Sequence, residues 1–224
     1  MTTAVVLDIE GTTSSTAAVR ERLYGYTRRE LPRWIGTDEA APVRAATREL
    51  AGRPGATPAE IAELLLGWLG SDAKAEPLKL AQGLICHAGF RAGALRGAFY
   101  PDVAPALRGW HAAGLRLAVY SSGSERNQRD WFGHAEGGEL ASLVSGWFDL
   151  TTAGPKREPG SYRRIAAAMN TPPDELLFLS DHPDELDAAV AAGWRVAGVH
   201  RAGEPNAPRP PHRWIAEFGE LALP

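Results

Sequence analysis

Two carboxylates follow an apolar segment near the start of the chain. Residues 4–7 read AVVL, and Asp8, Ile9 and Glu10 come next. Consecutive Val and Leu residues are typical of a strand buried on both faces, and a carboxylate at the end of such a strand costs free energy unless a ligand binds it. The simpler interpretation is that Asp8 and Glu10 begin a solvated turn, and this segment alone does not separate the two.

Polar residues also follow three later predicted strands. Ser121 and Ser122 follow the second strand, Lys156 lies in the loop after the third, and Asp181 follows the fourth. In parallel α/β sheets, ligands bind outside the carboxyl ends of the strands. Each residue alone has a simpler explanation, because lysine is common on surfaces and Ser or Asp often caps a helix. Their occurrence at successive strand ends favours one shared site.

Converging carboxylates at this edge predict a divalent cation and phosphoryl transfer. Mg²⁺ prefers oxygen ligands and keeps several waters, and Asp8, Glu10 and Asp181 would supply its ligand shell. A carboxylate can also attack a phosphoryl group to give an aspartyl-phosphate, which water then hydrolyses. Ser121, with backbone N–H groups at a helix start, can hold phosphate oxygens, and Lys156 can balance the charge of the transferred group.

The elements that must position these residues alternate between strands and helices. Gly, Pro and Ser clusters separate the apolar segments, and the order predicts an α/β fold with a doubly wound, mostly parallel sheet. The predicted strands cover residues 4–7, 115–120, 147–150, 176–181 and 195–199.

A helical insertion interrupts this alternation. Apolar residues fall at helical spacing between about residues 15 and 97, with Thr57 as a predicted N-cap and Pro58 as the first residue of a helix. We therefore expect an α/β catalytic core of residues 1–14 and 98–224 and a helical cap domain of residues 15–97. Such a domain can exclude water while a reactive intermediate exists.

The composition narrows the classes of partner. The chain has 224 residues, a formal net charge of -3, and 44% hydrophobic and 23% charged residues. No Lys/Arg-rich run indicates nucleic acid or a membrane surface, and no apolar run approaches the roughly 18–20 residues of a membrane span. Asp8 ends the N-terminal apolar segment too early for a signal peptide, and Cys86, the one cysteine, cannot form an internal disulfide. We expect a cytoplasmic protein that binds a small phosphorylated metabolite.

Four short motifs resemble those of the haloacid dehalogenase superfamily. They occur in the family's order and read DIEGT, YSSGS, PK and LSD. Within the superfamily, the segments DIEGTT, YPDVAPALRGWHAAGLRLAVYSSGS, WFGHAEGGEL and SDHPDELDAA are similar to the enolase-phosphatases of methionine salvage. Most superfamily phosphatases carry an aspartate where this chain has Glu10, so this resemblance is the more specific one. It covers nearly the whole chain.

The resemblance implies a substrate and a set of residue roles. The substrate would be 2,3-diketo-5-methylthiopentyl-1-phosphate, first enolised and then dephosphorylated to an acireductone by a monomeric enzyme with one Mg²⁺ per chain. Glu10 would bind the metal through its side chain, or through its backbone carbonyl with the side chain left as an acid or base. The implied roles are nucleophile and metal ligand for Asp8, metal ligands for Glu10 and Asp181, phosphate contacts for Ser121 and Ser122, and a substrate-binding catalytic cation for Lys156.

Three other functions fit parts of the pattern. A general Mg²⁺-dependent phosphatase of the same superfamily would hydrolyse ordinary phosphate esters without enolisation. A dehalogenase needs no cation, so it would gain nothing from Glu10 and Asp181 beside Asp8. A non-catalytic binder of phosphorylated metabolites would not require the lysine and the nucleophile together. Among the histidines, only His182, next to Asp181, is a candidate for lining the site.

Overall fold

The chain forms two units in a computed structural model, which describes residues 1–71, 73 and 75–223. One unit contains residues 1–18 and those from 96 onward, and the other is Val19–Leu95. The expected division placed its boundaries after residues 14 and 97. The role of the helical unit as a cap stays a prediction.

The first unit is built on one parallel sheet. Within the described residues the sheet has six strands in the order β3-β2-β1-β4-β5-β6, and every neighbouring pair is parallel. This confirms the predicted doubly wound α/β fold. The strands are β1 (Ala4–Leu7), β2 (Arg116–Tyr120), β3 (Val144–Phe148), β4 (Leu176–Ser180), β5 (Arg195–Val199) and β6 (Trp214–Ile215).

The strand order reverses at β1, which lies between β2 and β4. Leu7 is in register with Leu179 of β4 and Val119 of β2, and the Asp8 N–H donates to the Leu179 carbonyl at 3.0 Å. All four β1 residues are fully buried, because parallel sheets have helices on both faces. The carboxyl ends of β1 and β4 therefore meet at the switch point where such sheets bind ligands.

Two details of the sheet differ from the prediction. β3 begins at Val144 and ends at Phe148, earlier than the predicted 147–150, because Asp149 turns the chain. Its Oδ1 accepts the N–H groups of Thr151 and Thr152, both at 2.9 Å. β6 was not predicted, since two residues are too short to show a strand period.

Helices flank the sheet and close the main core. Tyr162 and Phe178 are fully buried and their rings pack edge to face at 5.2 Å between centroids. Gly114 and Gly193, each just beyond the end of a helix, have φ of 86° and 89°, the left-handed conformation that favours glycine after a helix. The helices after the insertion are α5 (Val103–Ala112), α6 (Glu125–Gly133), α7 (Pro159–Ala168) and α8 (Pro183–Ala191).

The second unit is helical, as the apolar spacing predicts. The predicted start of its third helix is confirmed: the Thr57 side chain accepts the Glu60 N–H at 3.3 Å, the Glu60 carboxylate accepts the Thr57 N–H at 2.8 Å, and Pro58 is the first helical residue. A separate apolar cluster that includes Leu31, Ile61 and Leu65 holds the unit together. Its helices are α1 (Thr16–Trp34), which begins in the first unit, α2 (Ala41–Leu50), α3 (Pro58–Gly70) and α4 (Glu76–Arg91).

None of the helices within the described residues has the length and apolar character needed to cross a membrane.

Candidate active site

A buried ion-pair network lies at the carboxyl end of β1. The Lys156 ammonium is 2.7 Å from Asp8 Oδ1 and 2.7 Å from Glu185 Oε2, and all three side chains are close to nine-tenths buried or more. Glu185, on α8, also accepts the Ser180 hydroxyl at 2.8 Å. The structure thus brings the predicted Asp8 and Lys156 into direct contact and adds a third residue, Glu185, that the sequence did not indicate.

The loop after β3 holds Lys156 in this position. The Tyr162 hydroxyl donates to the Lys156 carbonyl at 2.7 Å, and the Tyr120 hydroxyl donates to the Gly154 carbonyl at 2.7 Å. The ammonium lies 5.7 Å from the Tyr120 ring centroid and 5.9 Å from that of Phe178, within the range of cation–π attraction. Lys156 is therefore a fixed, buried cation rather than a surface lysine.

Asp8 keeps one carboxylate oxygen available. Oδ1 accepts the Ile9 N–H at 2.7 Å in addition to the Lys156 ammonium. Within the described part of the chain, Oδ2 accepts no hydrogen bond and joins no ion pair. An oxygen of this kind can bind a cation or attack a phosphorus atom.

The charges at this site are unbalanced. Burial raises the pKa of Asp8 to about 8, with Lys156 opposing the rise and Glu185 and Asp181 adding to it. Burial lowers the pKa of Lys156, but attraction to Asp8 and Glu185 outweighs that effect and raises it above its ordinary value. Lys156 therefore stays charged at neutral pH. Three carboxyl groups thus share one ammonium, and a bound divalent cation would favour their ionised forms.

Asp181 is held against the loop that follows β1. Its N–H donates to Thr12 Oγ1 at 3.0 Å, and its Oδ2 accepts the Asn206 side-chain amide at 2.7 Å. Gly11 has a φ of 72°, and a Cβ built there would overlap the Asp181 carboxylate, 2.6 Å from Cγ. Burial raises the pKa of Asp181, opposed by the Asn206 hydrogen bond and by Lys156. The backbone of this loop thus packs directly on the Asp181 carboxylate.

Glu10 lies in a tight turn between Asp8 and Gly11. The Ile9 carbonyl accepts the N–H groups of Thr13 and Ser14 at 3.0 and 2.9 Å, and the Gly11 N–H donates to the Ser14 carbonyl at 2.8 Å. The turn brings residue 10 to the same strand end as Asp8. Metal binding by Glu10, through its side chain or its carbonyl, stays a prediction.

The two serines follow the neighbouring strand. Ser121 is buried and its hydroxyl accepts the Gly123 N–H at 3.5 Å, whereas Ser122 is exposed. The Gln128 amide braces the turn by donating to the Gly123 and Phe148 carbonyls, both at 2.8 Å. Among the described residues, neither serine hydroxyl bonds to the carboxylates of the site. The role of both serines as phosphate contacts stays a prediction.

His182 acts at the start of α8 instead. Its Nδ1 accepts the Asp184 N–H at 3.3 Å, which makes it the N-cap, and its Nε2 lies 2.9 Å from an Arg157 nitrogen. These two contacts stabilise the start of α8, and neither joins His182 to Asp8, Lys156 or Asp181.

The donor groups fit Mg²⁺. No group of three or more His, Cys, Asp or Glu side chains is arranged as a metal cage in the part of the chain that the structure describes. Mg²⁺ in phosphoryl-transfer sites usually takes only one or two carboxylates, with waters and substrate oxygens completing its octahedron. Asp8 and Asp181, at the ends of adjacent strands, would supply such a pair, and Glu10 lies in the turn that follows Asp8.

The sequence matches a known family of hydrolases. The model of the haloacid dehalogenase-like hydrolases matches residues 2–193. The chain is 72% identical to an enolase-phosphatase E1 of Nocardia farcinica over 100% of this chain and 97% of the relative. It is 54% identical to an enolase-phosphatase E1 of Streptomyces avermitilis over 90% of this chain and 86% of the relative.

Solved structures show the same fold. The UTR4 protein of Saccharomyces cerevisiae superposes with a TM-score of 0.82 at 29% identity, covering 99% of this chain and 100% of that one. CbbY from Rhodobacter sphaeroides, solved in complex with phosphate, superposes at 0.63 with 22% identity, covering 99% of this chain and 97% of that one. By its sequence match and its nearly full-length relatives, the chain belongs to the haloacid dehalogenase-like hydrolases and, within them, to the enolase-phosphatase E1 family.

Proposed function

We propose that this chain is a Mg²⁺-dependent enolase-phosphatase of methionine salvage. It converts 2,3-diketo-5-methylthiopentyl-1-phosphate to an acireductone, 1,2-dihydroxy-3-keto-5-methylthiopentene, and phosphate. It acts in the cytoplasm as a monomer on a small metabolite, with no nucleic-acid or membrane partner. The observation that carries the proposal is the buried contact between Asp8 and the charged Lys156, beside Asp181, in a chain 72% identical to an enolase-phosphatase E1.

Asp8 is the nucleophile of the phosphatase step. Its carboxylate attacks phosphorus, the bond between phosphorus and the ester oxygen breaks, and that oxygen leaves with the enol product and takes up a proton. Water then attacks the aspartyl-phosphate, which releases phosphate and restores the carboxylate. In this proposal Lys156, 2.7 Å from Asp8 Oδ1, stabilises the charge of the transferred group, and the turn at Ser121 and Ser122 binds the phosphate oxygens.

Asp8, Asp181 and the Glu10 position would hold Mg²⁺, which would neutralise phosphate charge and polarise a substrate carbonyl when bound. This lowers the cost of bringing a phosphorylated substrate to a site with several carboxylates.

Enolisation requires a base for a proton on the phosphate-bearing carbon. Lys156 is a poor candidate, because its two ion pairs raise its pKa and keep it protonated. The Glu10 carboxylate, in the turn next to Asp8, is the better one. In this scheme Glu10 accepts the carbon-bound proton, a C=C bond forms, and the carbonyl oxygen takes the electron pair as an enolate. Protonated Glu10 then returns its proton to that oxygen, directly or through water, which gives the enol and restores the carboxylate.

Two simultaneous readings test the function. The purified protein is given the diketone phosphate with Mg²⁺, and ultraviolet absorbance of the conjugated enol is followed together with phosphate release. We expect the enol to form before phosphate appears. Phosphate release without an enol would indicate the general phosphatase instead, and binding with no turnover would indicate the non-catalytic binder.

A nucleophile variant and a matched control complete the test. Asp8→Asn should abolish phosphate release and leave no covalent intermediate to trap. Asp174→Asn changes an exposed aspartate of the same unit and should leave both readings unchanged. Phosphate release retained by Asp8→Asn would exclude Asp8 as the nucleophile.

A further inference from the structure

The segment that follows β5 contacts the Asp181 position by two routes. Arg201 donates from Nε to the Thr12 carbonyl at 3.1 Å, and the Thr12 hydroxyl accepts the Asp181 N–H at 3.0 Å. Farther along, the Asn206 amide donates to Asp181 Oδ2 at 2.7 Å. One route fixes the backbone of the carboxylate residue and the other fixes its side chain.

This segment is anchored on both sides of Asn206. Before it, the Glu204 carboxylate accepts the Tyr100 hydroxyl at 2.7 Å. After it, Arg209 donates to Asp184 at 3.0 Å and also pairs with Asp187, both on α8, the helix that begins two positions after Asp181. The contacts of Glu204 and Arg209 thus hold the loop in place on either side of Asn206. The hydrogen bond from Asn206 to Asp181 therefore does not have to order the loop by itself.

The chemistry of the pair has a direct consequence for cation binding. A carboxylate can rotate about its Cβ–Cγ bond, and a donor on one oxygen restricts that rotation and leaves the other oxygen for a ligand. Asn206 is a neutral donor, so it orients Asp181 without adding a positive charge that would repel a cation. Hydrogen-bond partners of metal ligands typically contribute about 10- to 100-fold to metal affinity.

We propose that Asn206 is a positioning residue of the cation site, acting through Asp181 Oδ2. The inference rests on the proposed function, because it takes Asp181 as a ligand of Mg²⁺. Asn206 fixes the carboxylate so that Oδ1 is presented to the cation, and it is not itself a ligand.

The test is Mg²⁺ binding measured by calorimetry on the whole protein without substrate. We compare the unsubstituted protein with Asn206→Ala and with Asn206→Leu, which keeps the branched shape of the side chain but removes the donor. Both variants should bind Mg²⁺ about 10-fold more weakly or worse. Ala207→Ser, at the adjacent exposed position, is the matched control and should bind as the unsubstituted protein does.

A second measurement separates positioning from a general structural role. The Mg²⁺ concentration for half-maximal turnover should rise about 10-fold in both Asn206 variants, while kcat at saturating Mg²⁺ and the thermal midpoint of the cation-free protein change little. A lowered kcat at every Mg²⁺ concentration with a lowered midpoint would overturn the positioning role. So would Mg²⁺ affinity within twofold of the unsubstituted protein. Absence of Mg²⁺ binding by the unsubstituted protein itself would instead overturn the cation assignment in the proposed function.

Discussion

Lys156 Nζ lies 2.7 Å from Asp8 Oδ1, and the same ammonium lies 2.7 Å from Glu185 Oε2. The lysine therefore joins the end of β1 to the start of α8 across the carboxyl edge of the sheet. A single buried cation shared by two carboxylates is oriented before substrate arrives. Preorganised charge of this kind stabilises a transition state without reorganisation at the moment of reaction.

Loss of this cation should impair catalysis strongly. Lys156→Ala is expected to lower kcat/KM by about 10² or more, as expected for removing one preorganised charge. The measurement is steady-state phosphate release at saturating Mg²⁺. Lys79→Ala, an exposed lysine of the helical unit, is the control and should behave as the unsubstituted protein. A change of less than about threefold at Lys156 would mean that the lysine only holds the fold.

Mg²⁺ affinity should fall as the pH is lowered. The pKa of Asp8 is raised to about 8 in the cation-free protein, so below that pH a proton competes with the cation for the carboxylate. We expect the affinity to drop by about tenfold per pH unit from pH 8 toward pH 6, and to level off above pH 9. Calorimetry in two buffers with different ionisation enthalpies also reports the proton released on binding. A Mg²⁺ affinity that does not change with pH over this range would show that Lys156 keeps Asp8 ionised.

The sequence predicts the sheet and the positions of Asp8 and Asp181 at its edge, and the reason is physical. Asp8 and Asp181 each end a continuous apolar run, and buried parallel strands read in this way whatever surrounds them. The strand ends also meet at one edge by topology alone, so convergence follows once the sheet is parallel. The roles assigned to these residues stay predictions until the variants are measured.

Glu185 and Asn206 could not be predicted from local sequence. Glu185 belongs to PDELD, an acidic helix start that favourable interaction with the helix dipole already explains. Asn206 lies in EPNAPRPPH, whose prolines are typical of a surface loop, and only the fold brings it to Asp181. Both act through contacts with residues far from them in sequence or on another element, and no spacing rule encodes such contacts.

Gly11 should be required for the site and not only for the turn. Gly11→Ala introduces a side chain at a φ of 72°, and its Cβ would overlap the Asp181 carboxylate. Left-handed backbone costs a non-glycine residue on the order of 1–3 kcal/mol. Gly52→Ala is the matched control, because its φ is 63° and nothing lies within 4 Å of the added Cβ. Urea unfolding should show both variants destabilised, while only Gly11→Ala loses Mg²⁺ binding and turnover.

Arg201 should contribute mainly to stability. Its guanidinium pairs with both oxygens of Asp102 at 2.9 and 3.0 Å, and the two side chains are 5% and 15% exposed. Arg201→Ala leaves the aspartate buried without its cation, so we expect a loss of about 3 kcal/mol in the free energy of unfolding. Arg53→Ala is the control: it breaks an exposed ion pair with Glu60 and should change the free energy of unfolding little. Equal losses in urea unfolding would contradict this assignment.

Glu10 should separate the two reactions. Glu10→Asp restores the residue usual in superfamily phosphatases, and the shorter side chain should still support hydrolysis of simple phosphate esters. Enolisation needs a base that reaches the phosphate-bearing carbon, and Lys156 cannot replace it while its pKa is raised by Asp8 and Glu185. We therefore expect enol formation, followed by ultraviolet absorbance, to slow much more than ester hydrolysis, followed by phosphate release. If Glu10→Asp slows both reactions by the same factor, Glu10 serves the metal or the phosphate, and the base for enolisation lies elsewhere.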